Sequence, residues 1–142
     1  MPRNGNDAEA FDVIVVGGGQ SGMAQSFFLK KLGLKHVVLE RGCAFSAWYQ
    51  RWDSLRMNTP NWMNSLPGAQ VEFCPGARRT AFGTREDAIR YFTDYVKVVK
   101  PPLREHVEVR RVCQSGEGGW QVETPNDLYL APNVVILSLI HI

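Results

Sequence analysis

A glycine pattern near the start of the chain leaves room for a phosphate group to approach the backbone. Gly17, Gly19 and Gly22 are spaced as G-x-G-x-x-G directly after the apolar run 13–16. A helical pattern follows at once, so the first backbone N–H groups lie at a helix N-terminus, whose partial positive charge can bind a pyrophosphate. Gly17 allows the tight turn, Gly19 admits the phosphates, and Gly22 lets the helix pack closely. The pattern predicts an adenine-dinucleotide site that includes Gln20 and Ser21.

An acidic residue at the end of the next strand supports this prediction. Glu40 follows the run 36–39, close to the spacing of about 20 residues at which a carboxylate accepts hydrogen bonds from adenosine ribose hydroxyls. A 2′-phosphate there would face a like charge, which disfavours NADP and leaves NAD and FAD. The alternative is a glycine-rich turn without a ligand, which the combined pattern disfavours.

The elements that position these residues begin with a strand, a helix and a second strand. Segments 13–16 and 36–39 are typical of buried parallel strands. Apolar residues recur at helical spacing over residues 20–32, and Gly33 follows where a helix C-terminal glycine belongs. The predicted apolar face of this helix consists of Met23, Ala24, Phe27, Phe28 and Leu32.

The remainder predicts one long loop, one helix and four strands. Residues 41–80 show no sustained period, and their aromatic content argues against disorder. Thr84 predicts a helix N-cap, and Pro101 ends that helix. Its predicted apolar face consists of Ile89, Phe92, Val96 and Val99, and strands are predicted over 107–112, 120–123, 128–130 and 134–137. The order predicts an α/β fold: a doubly wound parallel sheet with an accessory β-meander.

Composition narrows the class of protein. The 142 residues, 44% hydrophobic and 21% charged, suit one globular domain with its own core. A net charge of +2 gives no argument for binding nucleic acid or a membrane surface, and no apolar run has transmembrane length. The first ten residues contain no secretory signal. Cys43, Cys74 and Cys113 are odd in number and scattered, which disfavours disulfides or a metal site and favours a cytoplasmic location.

These motifs resemble the FAD-binding half of flavin-dependent monooxygenases of the flavin-containing and Baeyer–Villiger type, including the plant YUCCA enzymes and their bacterial relatives. The likeness covers residues 11–136. The glycine motif and Leu39-Glu40-Arg41 match the FAD fingerprint of the family, and Trp48 matches its Gly-Gly-Thr-Trp turn in the tryptophan only. Segment 52–60 is similar to the stretch under the flavin and 65–68 to the turn after it. Segment 82–86 resembles Tyr-Pro-Thr-Arg, with glycine replacing the proline.

The resemblance implies a Rossmann-like FAD-binding domain, truncated, from a flavoprotein with two dinucleotide-binding domains. NADPH would be the co-substrate that reduces FAD, and the reduced flavin would capture O2 as a C4a-hydroperoxide. An oxygen atom would then pass to a small organic substrate, either a soft nucleophile or a ketone. The implied cofactor contacts are Gly17, Gly19, Gln20, Ser21, Gly22, Glu40, Arg41, Trp48, Leu55, Thr59 and Val109.

Individual side chains keep alternatives open. Asn58 aligns with an Asn-Ser pair near the flavin, so its amide is the candidate catalytic group, with satisfaction of the loop backbone as an equal alternative. Trp48 packs either beside the flavin or in the core. Trp52 and Trp62 are interpreted as structural, as are His36 and His106.

Domain boundaries and two other functions complete the expectations. We expect a disordered N-terminus over 1–10, an incomplete FAD-binding domain over 11–136, and a non-native tail over 137–142, whose residues match the translation of a transposon mosaic end used as a sequencing adapter. Such a chain is expected to be inactive alone. The alternatives are a disulfide-reductase-like NAD(P)H reductase, disfavoured because Cys43 and Cys74 lack C-x-x-C spacing, and a non-catalytic dinucleotide-binding module.

Overall fold

A computed structural model describes residues 8–68 and 70–138 of the chain. Its strands are β1 (Glu9–Ala10), β2 (Val13–Val16), β3 (His36–Leu39), β4 (Leu103–Arg104), β5 (Arg111–Gln114), β6 (Trp120–Glu123), β7 (Leu128–Ala131) and β8 (Asn133–Ile136). Its helices are α1 (Gln20–Lys31), α2 (Ser46–Tyr49) and α3 (Arg85–Val99), with a 3₁₀ turn at Asn61–Met63.

Two sheets carry the architecture. The first is parallel, in the order β4-β3-β2-β8, and the second has the order β1-β7-β6-β5, in which β5, β6 and β7 form an antiparallel meander. This confirms the predicted α/β fold with a parallel sheet and an accessory meander. Val16 lies opposite Leu39 in the β2–β3 register. The carboxyl ends of these two strands therefore lie side by side, and the residues that follow them meet at one edge of the sheet.

The parallel sheet is buried on both faces, which explains the apolar runs of β2 and β3. On one face, Val13 and Val15 pack with Met23 of α1 and the aromatic residues of α3. On the other, Ile14 and Val37 pack against the meander. Successive side chains of a strand point to opposite faces, so one short run contributes to both clusters. The helices and the meander thus hold the sheet between them.

Helix α1 begins at the predicted residue, ends one residue earlier than predicted, at Lys31, and buries a different face. Gly33 has φ +71 and donates its N–H to Lys30 O at 3.0 Å, which ends the helix as predicted. The expected face was wrong for Phe28 and Leu32, which are exposed. The residues buried against the sheet are Gly22, Met23, Ser26 and Leu29. Apolar periodicity could not locate this face because its close contacts involve a glycine and a serine.

Two buried polar side chains at that face have hydrogen-bond partners. Ser26 Oγ lies 2.8 Å from His36 Nε2, and the other ring nitrogen of His36 lies 2.9 Å from Leu34 O. Both side chains are nearly inaccessible to solvent. Because every polar atom of this pair has a partner, burying it costs little. His36 therefore has the structural role that was predicted.

Helix α3 begins with the predicted cap. Thr84 Oγ accepts the Asp87 N–H at 3.1 Å while the Asp87 carboxylate accepts the Thr84 N–H at 2.9 Å, which completes a capping box. The buried face differs from the predicted one: Ala88, Tyr91, Phe92, Tyr95 and Val99 are buried, and Ile89 and Val96 only in part.

The two tyrosines on this buried face carry their hydroxyl groups to loop backbone. Tyr91 Oη accepts the Leu66 N–H at 2.6 Å, and Tyr95 Oη donates to Pro67 O at 2.8 Å. Burial raises the pKa of Tyr95 to about 12. Tyr91 and Tyr95 were missing from the predicted face because a tyrosine is buried only where its hydroxyl finds a partner, which the local pattern does not reveal.

Several predicted boundaries need correction. The long segment 41–80 contains α2 and a 3₁₀ turn, and the strand predicted over 107–112 starts instead at Arg111. Strand β4 was not predicted, because its two residues pair with β3 and show no period of their own. Glu9 and Ala10, expected to be disordered, form β1, and the Arg104 guanidinium contacts the Glu9 carboxylate at 2.7 and 2.8 Å.

The two ends of the chain are described only in part. Residues 1–7 and 139–142 lie outside the described residues. Leu137, the first residue of the expected non-native tail, donates its N–H to Val16 O at 2.8 Å and packs against the core. The origin of the tail remains a prediction. None of the helices that the structure describes has the length and apolar character required of a membrane span.

Candidate dinucleotide-binding cleft

The glycine turn connects β2 to α1 with the geometry that the motif predicts. Gly17 has φ +114, a backbone conformation in which any residue with a side chain would be strained. Its N–H donates to Leu39 O at 2.9 Å. A Cβ added at Gly22 would lie 1.9 Å from Gly17 O, so the first turn of α1 packs directly on the glycine turn. Around Gly19 no atom lies within 4 Å of an added Cβ. The turn is therefore closed beneath Gly22 and open at Gly19.

The N-terminus of α1 has no cap from its own chain. No side chain among residues 8–68 and 70–138 bonds to its first N–H groups, and its first turn contains no acidic residue. Helix α3 differs, because it has both a capping box and two acidic residues in its first turn. The uncapped α1 terminus retains its partial positive charge and its free donors, which suit an anionic ligand.

Glu40 stands beside this turn with its carboxylate fixed by backbone N–H groups. Oε2 accepts the Gly18 N–H at 2.6 Å and Oε1 accepts the Gly42 N–H at 2.8 Å, with Ser46 Oγ at 3.4 Å from Oε1. A carboxylate has about four lone-pair sites, so acceptor capacity remains on Oε2. The carboxylate is thus oriented before any ligand arrives and can still accept a hydroxyl.

A cleft of about 900 Å³ opens over the turn and Glu40. This volume lies near the upper end of the roughly 300–1,000 Å³ range for small-molecule sites, which suits a large ligand. Ten of the predicted site residues line it: Gly17, Gly19, Gln20, Ser21, Glu40, Arg41, Trp48, Leu55, Asn58 and Val109. Gly22 and Thr59 do not line it. Gly22 is buried beneath the turn, and the Thr59 hydroxyl bonds to the Asn64 side chain.

Trp48 connects the cleft wall to the glycine-turn helix. Its indole Nε1 donates to Gln20 Oε1 at 3.1 Å, and its ring lies 5.3 Å from the ring of Phe92. The side chain is partly exposed and lines the cleft. Trp48 was predicted to pack either beside the flavin or in the core, and its position is compatible with both, because its ring contacts Phe92 of α3 and also lines the cleft.

Cationic side chains surround the cleft. Arg41, Arg51 and Arg56 line it and are exposed, and no described residue forms an ion pair or hydrogen bond with their guanidinium groups. The Asn58 amide is likewise exposed and makes no hydrogen bond to a described residue, so it does not satisfy the loop backbone around it. Unpaired cations beside an uncapped helix N-terminus create a positive potential suited to phosphate groups.

Sequence reasoning missed several residues of this cleft. The additional lining residues come from the segment before β5, from the meander and from β8, and include Val107, Arg110, Arg111, Val112, Trp120 and Ile136. Their only local signal is a strand pattern, and tertiary packing brings them to the cleft. Trp52 and Trp62 were interpreted as structural, but their exposed fractions are 63% and 55%, and Trp52 lines the cleft. Neither tryptophan is a core residue.

The cysteine and histidine side chains of the described residues form neither a metal site nor part of the cleft wall. Across residues 8–68 and 70–138, no group of three His, Cys, Asp or Glu side chains could hold a metal ion. Cys43, Cys74 and Cys113 are free thiols, and none of them lines the cleft. Burial, aided by the Asp87 carboxylate, raises the pKa of the Cys74 thiol, which makes it a weaker nucleophile.

Comparison with known proteins identifies the class. A family model described as pyridine nucleotide-disulphide oxidoreductase matches residues 14–137. This match covers most of the chain, and the chain belongs to that family.

The curated relatives include named monooxygenases and oxidoreductases described as uncharacterized. The chain is 29% identical over 128 residues to an uncharacterized oxidoreductase, CzcO-like, of Geobacillus kaustophilus, covering 89% of this chain and 35% of that protein. It is 34% identical over 113 residues to indole-3-pyruvate monooxygenase YUCCA6 of Arabidopsis thaliana, covering 77% of this chain and 26% of that protein. The chain thus spans about a third or less of the length of these curated relatives.

Solved structures confirm the fold. A flavin-containing monooxygenase from Stenotrophomonas maltophilia superposes with a TM-score of 0.77 at 29% identity, covering 90% of this chain and 38% of that one. The bacillithiol disulfide reductase of Staphylococcus aureus superposes with a TM-score of 0.81 at 19% identity, covering 92% and 39%, which shows a shared fold alone. The predicted resemblance to flavin-dependent monooxygenases is confirmed, as is the Rossmann-like domain.

Proposed function

We propose that the chain forms the FAD-binding part of an NAD(P)H-dependent flavin monooxygenase that transfers one oxygen atom from O2 to a small organic substrate. The observation that carries this proposal is the uncapped N-terminus of α1, which opens onto the cleft beside the oriented carboxylate of Glu40. These are the groups that bind the pyrophosphate and the ribose of an adenine dinucleotide. The 29% identity to a flavin-containing monooxygenase supports the assignment to FAD.

Different residues of the cleft contact different parts of the bound dinucleotide. The N–H groups at the start of α1 hold the pyrophosphate, and Glu40 accepts hydrogen bonds from the ribose. Arg41, Arg51 and Arg56 attract the anion, while Trp48 and Leu55 exclude water from the far part of the cleft. Bound FAD supplies the redox chemistry, accepting hydride from NAD(P)H and reacting with O2.

Asn58 is the proposed catalytic side chain. Its exposed amide lines the cleft and has no hydrogen-bond partner among the described residues, so its donors and acceptor are available to the isoalloxazine. In a full-length homologue, Asn58→Ala at the matching position is expected to lower the ratio of oxygenated product to NAD(P)H consumed. An unchanged ratio would remove Asn58 from this role.

A titration tests the cofactor assignment. We expect the chain to quench the fluorescence of added FAD, with NAD competing weakly and NADP more weakly still, because Glu40 opposes a 2′-phosphate. Binding of NADP equal to that of NAD would contradict the role of Glu40. Absence of any FAD binding would contradict the proposal for this chain.

A second experiment separates oxygen transfer from disulfide reduction. No cysteine is among the described residues that line the cleft, which favours a monooxygenase over a reductase with a redox cysteine pair. With ¹⁸O₂, NAD(P)H and a thioether or ketone, a full-length homologue is expected to incorporate the label into product. Reduction of a low-molecular-weight disulfide without label incorporation would favour the reductase instead. FAD binding with neither reaction would favour a non-catalytic module.

A further inference from the structure

The first residue of helix α3 places a largely buried guanidinium against the wall of the cleft. The side chain of Arg85 is only 17% exposed. Its Nε donates to Trp48 O at 3.2 Å and its Nη2 donates to Tyr49 O at 2.9 Å. These carbonyls end the short helix α2, where a helix leaves its last C=O groups without intrahelical partners. Arg85 therefore caps α2 with two charge-assisted hydrogen bonds.

The ion pairs of Arg85 contribute less than these carbonyl contacts. Nη1 lies 3.1 Å from a carboxylate oxygen of Asp53 and 3.1 Å from one of Glu86. Those side chains are 95% and 61% exposed, and ion pairs in water stabilise a fold only weakly. Of the two carbonyl contacts, the one with Trp48 O is partly buried and the one with Tyr49 O is exposed.

The backbone of the same residue holds the other end of the cleft wall. Arg85 N–H donates to Leu55 O at 3.1 Å, and two residues on, Met57 N–H donates to Gly83 O at 2.8 Å. Trp48, Leu55 and Met57 all line the cleft. Segment 48–57 is thus attached to the start of α3 at both ends, by the Arg85 side chain at one and by the Arg85 backbone at the other.

The wall is also linked to the helix that starts at the glycine turn. Trp48 donates its indole N–H to Gln20, the first residue of α1. A displacement of the Trp48 backbone would therefore disturb both the wall and the N-terminus of α1. No charged side chain other than Arg85 contacts Trp48 O or Tyr49 O in the described part of the chain.

We propose that Arg85 is a positioning residue of the cofactor cleft, which holds segment 48–57 against the bound dinucleotide by capping the carbonyls of Trp48 and Tyr49. The inference rests on the proposed function, because the bound ligand is the FAD proposed above. Arg85 does not line the cleft, so its effect on binding is transmitted through Trp48 and Leu55.

Three variants of the 142-residue chain test this role. Arg85→Met keeps an unbranched side chain about as long as the aliphatic stem of arginine and removes the guanidinium donors, whereas Arg85→Lys keeps the charge and loses the planar fork. Asp53→Asn is the matched control, because it removes the exposed ion pair and leaves the carbonyl contacts unchanged. Each variant is measured for FAD affinity by flavin fluorescence, for unfolding in urea, and for hydrogen exchange of the Arg51 and Met57 amides.

The role in positioning predicts a specific pattern. Arg85→Met should raise the Kd for FAD by about tenfold or more, the equivalent of about 1.4 kcal/mol. Arg85→Lys should recover part of this loss, and Asp53→Asn should stay within about twofold of the wild type. The Arg51 amide, which donates to Trp48 O at 3.3 Å, should exchange faster in Arg85→Met than in the wild type, while the exchange of the β2 amides should not change.

The outcomes also separate this inference from the proposed function. If the wild-type chain does not bind FAD, the proposed function fails, and the exchange of the Arg51 and Met57 amides still decides whether Arg85 fixes the wall. If Arg85→Met binds FAD as tightly as the wild type, the inference is wrong. It is equally wrong if Asp53→Asn weakens binding as much as Arg85→Met, or if Arg85→Met lowers protection uniformly across the fold.

Discussion

Two glycines of the same motif should respond to alanine in opposite ways. At Gly22 an added Cβ would lie 1.9 Å from Gly17 O. Carbon atoms contact carbonyl oxygens at roughly 3.3–3.6 Å, so Gly22→Ala must displace α1 from the turn by more than about 1 Å. At Gly19 nothing lies within 4 Å of the added Cβ, and its φ of −82° suits alanine. Gly19→Ala should therefore fold normally.

The structure sets the size of each effect. Forcing an extra group into a packed site costs about 1–3 kcal/mol, and a domain of this size loses about 2–4 °C of Tm per kcal/mol. Gly22→Ala should therefore melt roughly 2–12 °C below the wild type. Gly19→Ala should change stability by no more than about 0.5 kcal/mol, as for a surface substitution. Its methyl group enters the space through which the pyrophosphate approaches, and FAD affinity should fall at least about tenfold.

Thermal unfolding by circular dichroism and FAD titration by fluorescence measure the two effects separately. Gly116→Ala is the matched control, since Gly116 also has nothing within 4 Å of an added Cβ, has no positive φ, and lies outside the cleft. It should leave both the Tm and the FAD affinity unchanged. Wild-type affinity in Gly19→Ala, or a wild-type Tm in Gly22→Ala, would refute the reasoning about this turn.

Three further predictions concern charge. Glu40→Gln should lower the free energy of unfolding in urea by about 1–3 kcal/mol, because one of the Gly18 and Gly42 N–H groups loses its acceptor; an unchanged midpoint would contradict this. Burial acts to raise the pKa of Asp87, but hydrogen bonds from Thr84 and the Arg90 charge outweigh it and lower that pKa. Its contribution to stability is therefore complete above the unfolded value of about 4 and is lost as the pH falls through that value towards the folded pKa. Asp87→Asn should show a smaller fall in Tm between pH 7 and pH 3 than the wild type, and an equal fall would exclude Asp87 as a source of acid sensitivity. Finally, FAD affinity should weaken with added salt, since a Debye length of about 8–10 Å screens exposed arginines, and a variant with Gln at Arg41, Arg51 and Arg56 should show a flatter dependence in the same titration.

Local signals predicted the part of the fold whose interactions are local. The bounds of β3, the start of α1, the glycine that ends α1 and the Thr84 cap all depend on residues within a few positions of one another. The adjacency of the glycine turn and Glu40 was also predictable, because parallel strands joined by one helix bring their carboxyl ends together. These features cover the part of the site that would hold the adenosine and the pyrophosphate.

Long-range packing determined what the pattern did not show. Strand β4 has only two residues and forms because β3 offers an edge to pair with. The buried faces of α1 and α3 contain a serine and two tyrosines, each satisfied by a partner elsewhere in the chain. The role of Arg85 was likewise invisible, since its acceptors at Trp48 and Tyr49 lie far from it in sequence.

The sequence by itself determined the glycine turn, its strand-helix-strand setting and the acidic residue beside it, because each depends on backbone geometry over a short span. Only the tertiary structure decided which side chains form the rest of the cleft. The segment 48–57, the meander and β8 reach the cleft through contacts between residues distant in the chain. Such contacts follow from how the two sheets and α3 pack together, and no spacing along the chain encodes them.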